Sequence, residues 1–178
     1  MAEDRTPRVG IVVASRDDLP VLERASSELE RLGVPHTLDV RSAQHDPSGL
    51  AEWAVGAADA GYRVLIAGDA GAAQLPGVVA AYTTLPVIGV PCRTAQLGGA
   101  DALHAIVQMP EGFPVATVGV DAAVNAALLA VQILSLDDAA LAERYAEARA
   151  ERARSATEHR EVLTGRATEG FGFGVGSA

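Results

Sequence analysis

Residues 8–33, RVGIVVASRDDLPVLERASSELERLG, decide how the chain is read. RVGIVVAS (8–15) is a short β-branched run that ends in small and polar residues, the pattern of a buried strand. In the stretch that follows, Leu22, Ala25, Leu29 and Leu32 recur at helical spacing, Asp17 or Asp18 is placed to cap, Pro20 suits a first turn and Gly33 closes the helix. Strand, loop and helix succeed one another directly.

The same alternation runs outward from this unit. HTLDVRS (36–42) reads as a second strand, PSGLAEWAVGAADAG (47–61) as a second helix with Leu50, Trp53, Ala54 and Ala57 on one face, and RVLIAG (63–68) as a third strand. LPGVVAAYTT (75–84), LPVIGVP (85–91), GGADALHAIVQ (98–108) and FPVATVGV (113–120) continue it. Strands that alternate with helices imply right-handed crossovers and a parallel sheet covered on both faces. Two helices follow without a strand between them: DAAVNAALLAVQILSL (121–136), apolar nearly all round, and 137–163, a charged rod with a Leu141, Tyr145, Ala148 stripe. The first needs burial on more than one side, which suggests a subunit interface. One domain is expected over 1–163, and TGRATEGFGFGVGSA (164–178) is expected to be a Gly-rich flexible tail.

Composition supports the layering and excludes several functions. The chain has 178 residues, 49% hydrophobic but only 4% aromatic, so its core is built of small aliphatic side chains. A formal charge of −9 argues against nucleic acid as a partner. All fourteen basic residues are arginine, which removes Schiff-base chemistry and any lysine base. No uninterrupted apolar stretch reaches membrane-spanning length, the start lacks a secretion-signal core, and the single Cys92 cannot form an intrachain disulfide, so a cytoplasmic protein is expected. His36, His45, His104 and His159 show no metal-ligand spacing among themselves or with Cys92, so no metal or other cofactor is expected. Cys92 reads as a small core thiol.

In an open parallel sheet, ligands bind beyond the carboxyl ends of the strands. The loops to inspect are then ASRDD (14–18), SAQHDP (42–47), GDAGAAQLPG (68–77) and PCRTAQLGG (91–99). They are expected to bring Ser15, Asp18, Ser42, Gln44, His45, Asp69, Gln74, Arg93 and Gln96 to one crevice that takes a small molecule.

These loops, with PVIGVP (86–91), IVQMPEGFPV (106–115) and NAALLAVQIL (125–134) in the same order, resemble the PurE family of purine biosynthesis. Its members are 5-(carboxyamino)imidazole ribonucleotide mutases and aminoimidazole ribonucleotide carboxylases. The resemblance implies a flavodoxin-like three-layer α/β/α sandwich with extra C-terminal helices, and a homo-octamer. It carries Ser15, Asp17, Asp18, Ser42, Gly71, Ala72 and Leu75 over as substrate-binding positions.

The departures fall on the chemistry. Gln44 and Gln74 stand where the resemblance has two histidines, and His45 stands where it has a phosphate-binding arginine. Asp17 replaces a serine, Ala70 replaces a glycine, and Asp69 replaces a small residue. An amide cannot exchange protons as an imidazole does, so the catalytic candidates become Asp69 and His45, with Gln44 and Gln74 as hydrogen-bonding partners. Asp69 also suits a helix cap. The expectation is a divergent enzyme that carboxylates, decarboxylates or isomerises a small heterocyclic or carboxylated substrate in a specialised pathway. The alternatives are the family mutase reaction and a non-catalytic ligand-binding homologue.

Overall fold

A computed structural model describes residue 6 and residues 8–170, with the side chains of the last helix placed as far as residue 155. The elements are β1 (Val9–Val13), α1 (Leu19–Arg31), β2 (His36–Val40), α2 (Pro47–Val55), β3 (Val64–Ala70), α3 (Gln74–Tyr82), β4 (Val87–Cys92), α4 (Ala100–Val107), β5 (Ala116–Thr117), α5 (Ala123–Leu134) and α6 (Ala139–Gly170). Five strands pair in the order β2-β1-β3-β4-β5, every pair parallel. This is the flavodoxin-like order, with the chain reversing direction across the sheet at β1 and β3.

Period-two alternation distributes the strand side chains between two cores. Val9, Ile11 and Val13 of β1, Val64 and Ile66 of β3, and Ile88, Val90 and Cys92 of β4 face α1, α5 and α6. Val12, Leu65, Ala67 and Val87 face the other way, onto Leu50 and Ala54 of α2 and Leu75 and Val79 of α3. The helices approach closely because glycine stands under them. A Cβ at Gly89 would lie 2.5 Å from Ile106 Cγ2 and 2.8 Å from Val115 Cγ1, and one at Gly68 would overlap Leu22 of α1.

Three boundaries and one cap differ from expectation. Helix α2 ends at Val55, and the chain reaches β3 through turns rather than continuing helical to Gly61. Strand β5 is only Ala116–Thr117 of the expected 113–120. Past it, Val118 N–H and Asp121 N–H donate to the Gly89 and Pro91 carbonyls (3.1 and 2.9 Å), but Pro91 has no N–H to return. At the far end, α6 carries its backbone to Gly170, so 164–170 are helical, and the remainder of the expected tail, 171–178, lies outside the described residues. Asp18 occupies the N-cap position of α1, yet neither it nor Asp17 supplies a side-chain cap.

Helix α5 finds much of its cover within the chain. Ala123, Ala126, Ala127, Ala130, Val131 and Leu134 are buried, and Leu128, Leu129 and Ile133 pack partly buried against the same core. The α6 stripe lies as expected, with Leu141 and Ala148 buried and Tyr145 packed beside them. Among the described residues no helix is long and apolar enough to cross a membrane.

Filling the space under α1 tests the packing. Gly68→Ala should lose about 1–3 kcal/mol of unfolding free energy, read from urea denaturation, because the added methyl drives into Leu22 in a core already close-packed. An unchanged midpoint would show that α1 moves aside freely.

Candidate active site

The loop after β3 is organised by one carboxylate. Asp69 is 6% exposed, and its Oδ1 accepts from Ala70 N–H at 2.8 Å while Oδ2 accepts from Leu75 N–H at 2.9 Å. Gly71 (φ 60°) and Ala73 (φ 45°) both take left-handed backbone, which for an alanine is strained by about 1–2 kcal/mol. Ala73 is the N-cap of α3 and has no side chain able to cap, so Asp69 reaches across the turn and satisfies the second helical N–H instead. Burial holds the Asp69 carboxyl above its ordinary range, opposed by the backbone donors and reinforced by the charge of Asp18. The geometry therefore gives Asp69 the capping task.

The bent loop delivers Gln74 to the surface, where its Oε1 accepts from Gln44 Nε2 at 2.9 Å. Gln44 and His45 project from the turn after β2, which Ser42 builds: its Oγ accepts from Gln44 N–H (3.3 Å) and His45 N–H (3.1 Å). The same Oγ lies 3.0 Å from His45 Nδ1 and 3.4 Å from Gln44 Oε1. Strand β1 lies between β2 and β3, so the amide pair bridges the loops on either side of the β1 loop. In that central loop Ser15 Oγ donates to Asp18 Oδ2 at 2.9 Å, while Arg16 and Asp17 stand exposed. Burial raises the Asp18 carboxyl; its bond from Ser15 lowers it, and Asp17 and Asp121 raise it further.

The expected residues fall into distinct places. Ser42, Gln44, His45 and Gln74 form one hydrogen-bonded group, and Ser15 and Asp18 form another. Gly71 is half-buried and Ala72 exposed on the loop between them and α3, whereas Leu75 is wholly buried, so its side chain supports the loop from below. Gln96 is exposed on the segment after β4. Arg93 is drawn to Asp121, a residue that sequence reasoning did not single out because it was absorbed into the start of an apolar helix. Its position immediately past the last strand was the available signal. Cys92 is buried, and burial together with the charges of Asp18, Asp121 and Asp69 pushes its thiol up, so it remains protonated. Among the described residues no group of three or more His, Cys, Asp or Glu is placed to hold a metal ion.

Residues 8–155, from the approach to β1 into α6, match the family model for AIR carboxylase. The chain belongs to the AIR carboxylase family. It is 53% identical over 130 residues to the N5-carboxyaminoimidazole ribonucleotide mutase of Pyrococcus abyssi (strain GE5 / Orsay), covering 73% of this chain and 75% of that protein. The mutase of Thermotoga maritima (strain ATCC 43589 / DSM 3109 / JCM 10099 / NBRC 100826 / MSB8) is 47% identical over 141 residues, 79% of this chain and 82% of that one. The crystal structure of Treponema denticola PurE superposes with a TM-score of 0.79 at 26% identity, over 88% of this chain and 98% of that one. The AIR carboxylase scaffold is thus present through the whole set of loops just described.

Removing the Asp69 carboxylate should show what it does. Asp69→Ala leaves two N–H groups without acceptors and should lower stability by about 1–3 kcal/mol in urea unfolding. Asp69→Asn, which can still accept at one oxygen, should recover part of that loss. Because the folded carboxyl is raised, its protonation contributes stability that is present below the unfolded value and lost as pH rises through the folded one. The Asn variant should therefore gain on the unaltered chain as pH rises from about 4 to 7. A hundredfold fall in turnover for Asp69→Asn with stability unchanged would assign the carboxylate to proton transfer instead.

Proposed function

We propose that this chain binds aminoimidazole ribonucleotide and its carboxylated forms and performs the reaction for which its relatives are named, the N5-carboxyaminoimidazole ribonucleotide mutase step of purine biosynthesis. In that step the bond from the exocyclic nitrogen to the carboxylate carbon breaks, a bond from the ring carbon to it forms, and the proton on that carbon is passed to the nitrogen. Identities of 47–53% over about three quarters of the chain support this reading above a specialised pathway. With Asp69 engaged at the start of α3, the residue that most suggested new chemistry has a structural explanation.

The observation that carries the proposal is the Gln44–Gln74 bond at 2.9 Å. Two near-isosteric amides at both imidazole positions keep the donors and acceptors of the site and tie its two walls together, although neither amide can carry a proton at usable pH. His45, one residue along and 3.0 Å from Ser42 Oγ, is then the proton carrier, since histidine exchanges protons near neutrality. His36 is no rival: it begins β2 at the opposite edge of the sheet and is engaged by Ser26 Oγ and the Val34 carbonyl. The working form in this proposal is a cytoplasmic homo-octamer, supported by the resemblance and by Leu136, 83% exposed just past α5. Light scattering checks the assembly, and a stable monomer at micromolar concentration removes it.

Turnover tests the reaction. The unaltered protein should convert N5-carboxyaminoimidazole ribonucleotide to the carbon-linked isomer, and His45→Gln should reduce kcat by about a hundredfold while changing nucleotide affinity little. Binding without conversion would replace the mutase reading by that of a non-catalytic homologue. An absence of binding would overturn the substrate class.

A further inference from the structure

Arg93, the first residue past β4, is held more firmly than its exposure suggests. Its backbone N–H donates to Asp121 Oδ1 and its Nε to Asp121 Oδ2, both at 3.0 Å, with the two side chains 69% and 22% exposed. Asp121 takes left-handed backbone, φ 54°, an unfavourable conformation for a residue with a side chain. Three contacts hold it there: its N–H donates to the Pro91 carbonyl at 2.9 Å, its carbonyl accepts from Arg24 Nη1 at 3.3 Å, and its carboxylate grips Arg93. The neighbouring segment is interlocked as well. A Cβ at Gly99, φ 88°, would meet Val120 Cγ1 at 2.5 Å and Arg93 Cα at 3.3 Å.

The clasp uses only Nε on the side chain. The four N–H bonds of Nη1 and Nη2 meet no acceptor among the described residues, and they form a planar fork suited to a phosphate. Other guanidinium groups at this edge are differently placed. Arg41 is consumed by Asp39 (2.8 Å), the Gly49 carbonyl (3.2 Å) and the face of Trp53. Arg16 is exposed and enters no ion pair among the described residues, so binding would have to order a long free side chain. Arg93 has already lost that freedom. It also stands on the α1 side of the sheet, where Arg24 of α1 reaches Asp121 and where the loop bearing Ser15, Asp17 and Asp18 enters the same helix.

We infer that Arg93, positioned by Asp121, is a binding residue for the phosphate monoester of the ligand, supplying from β4 the guanidinium that position 45 lacks. The inference rests on the ribonucleotide reading proposed above and makes the phosphate end a product of the strained turn at Asp121. Asp121 is a positioning residue: it contributes through the orientation of Arg93 and makes no contact of its own with the anion. Neutral overall, the Arg93–Asp121 pair still offers directed donors, which suits a site crowded with carboxylates.

The test uses calorimetry with aminoimidazole ribonucleotide and its dephosphorylated riboside, and NMR titration with ribose 5-phosphate. Arg93→Gln should weaken the nucleotide about ten- to hundredfold and abolish ribose 5-phosphate binding while leaving the riboside unchanged. Asp121→Asn should weaken only the two phosphate-bearing ligands, by several-fold, with urea unfolding confirming that both variants fold. Equal nucleotide affinity in Arg93→Gln and the unaltered chain overturns the inference. So does an equal loss for nucleotide and riboside, or loss of phosphate preference in Arg16→Gln alone. If the unaltered chain ignores the heterocycle but holds ribose 5-phosphate through Arg93, the ribonucleotide reading falls and this one stands. Failure to bind any of the three overturns both.

Discussion

The site depends on the two backbone hydrogen bonds that Asp69 accepts. Without them the turn from β3 to α3 would place a left-handed glycine and a left-handed alanine within three residues and leave the first turn of α3 uncapped. The carboxylate binds the turn at both ends, Ala70 and Leu75, and thereby sets where Gln74 emerges. Gln74 in turn meets Gln44, so the wall built on β2 is referenced to the wall built on β3 through one buried acid. Burying a charge to do this is unfavourable, which is why the carboxyl is raised despite its donors. At this turn strain and desolvation coincide, and the rest of the fold supports them.

That support comes from the small residues under the helices. Gly68 admits Leu22, Gly89 admits Ile106 and Val115, and the alanines of α5 let the helix lie close on the sheet. A chain with few aromatics reaches interior density only by such close approach. The same closeness fixes α1, and with it the Ser15–Asp18 bond at the head of the helix and Arg24 on its flank. Packing far from the loops thus sets the geometry of the loops themselves.

Much of this was legible in the sequence. The β1–α1 unit, the alternation that follows it and the Leu141, Tyr145, Ala148 stripe are period-two and period-3.6 signals, and the structure follows them. Parallel topology puts nine polar residues at one edge of the sheet, but which of them join was not legible: Ser42, Gln44, His45 and Gln74 form one hydrogen-bonded group, while Ser15 pairs with Asp18 and Arg93 with Asp121. What escaped was decided by single backbone groups. The helix cap at Asp69 was one of two readings that its place before α3 left open, but no periodicity says that Asp18 turns back to Ser15 rather than capping α1, or that Pro91 ends the β5 ladder early. Asp121 was hidden for a different reason: its left-handed φ, uncommon outside glycine though aspartate tolerates it better than most residues, is a tertiary outcome held by Arg93, Arg24 and Pro91.

The charges at the carboxyl edge place a further demand on any anionic ligand. Asp18, Asp69 and Asp121 all act on Cys92, and Asp17 and Asp121 act on Asp18, so the floor carries an accumulated negative field. A phosphate entering it is opposed at several kcal/mol-scale interactions unless carboxylates are screened, protonated or paired. Each of these acids has a local answer: Asp18 takes a proton donor from Ser15, Asp69 takes two N–H groups, and Asp121 takes Arg93. Hydrogen bonds of this kind spread the charge of the carboxylate oxygens onto their donors. On the proposed reading, paired acids, a directed guanidinium on Arg93 and the neutral amides of Gln44 and Gln74 are how a chain without lysine would accept a negative group with little net positive charge in its site.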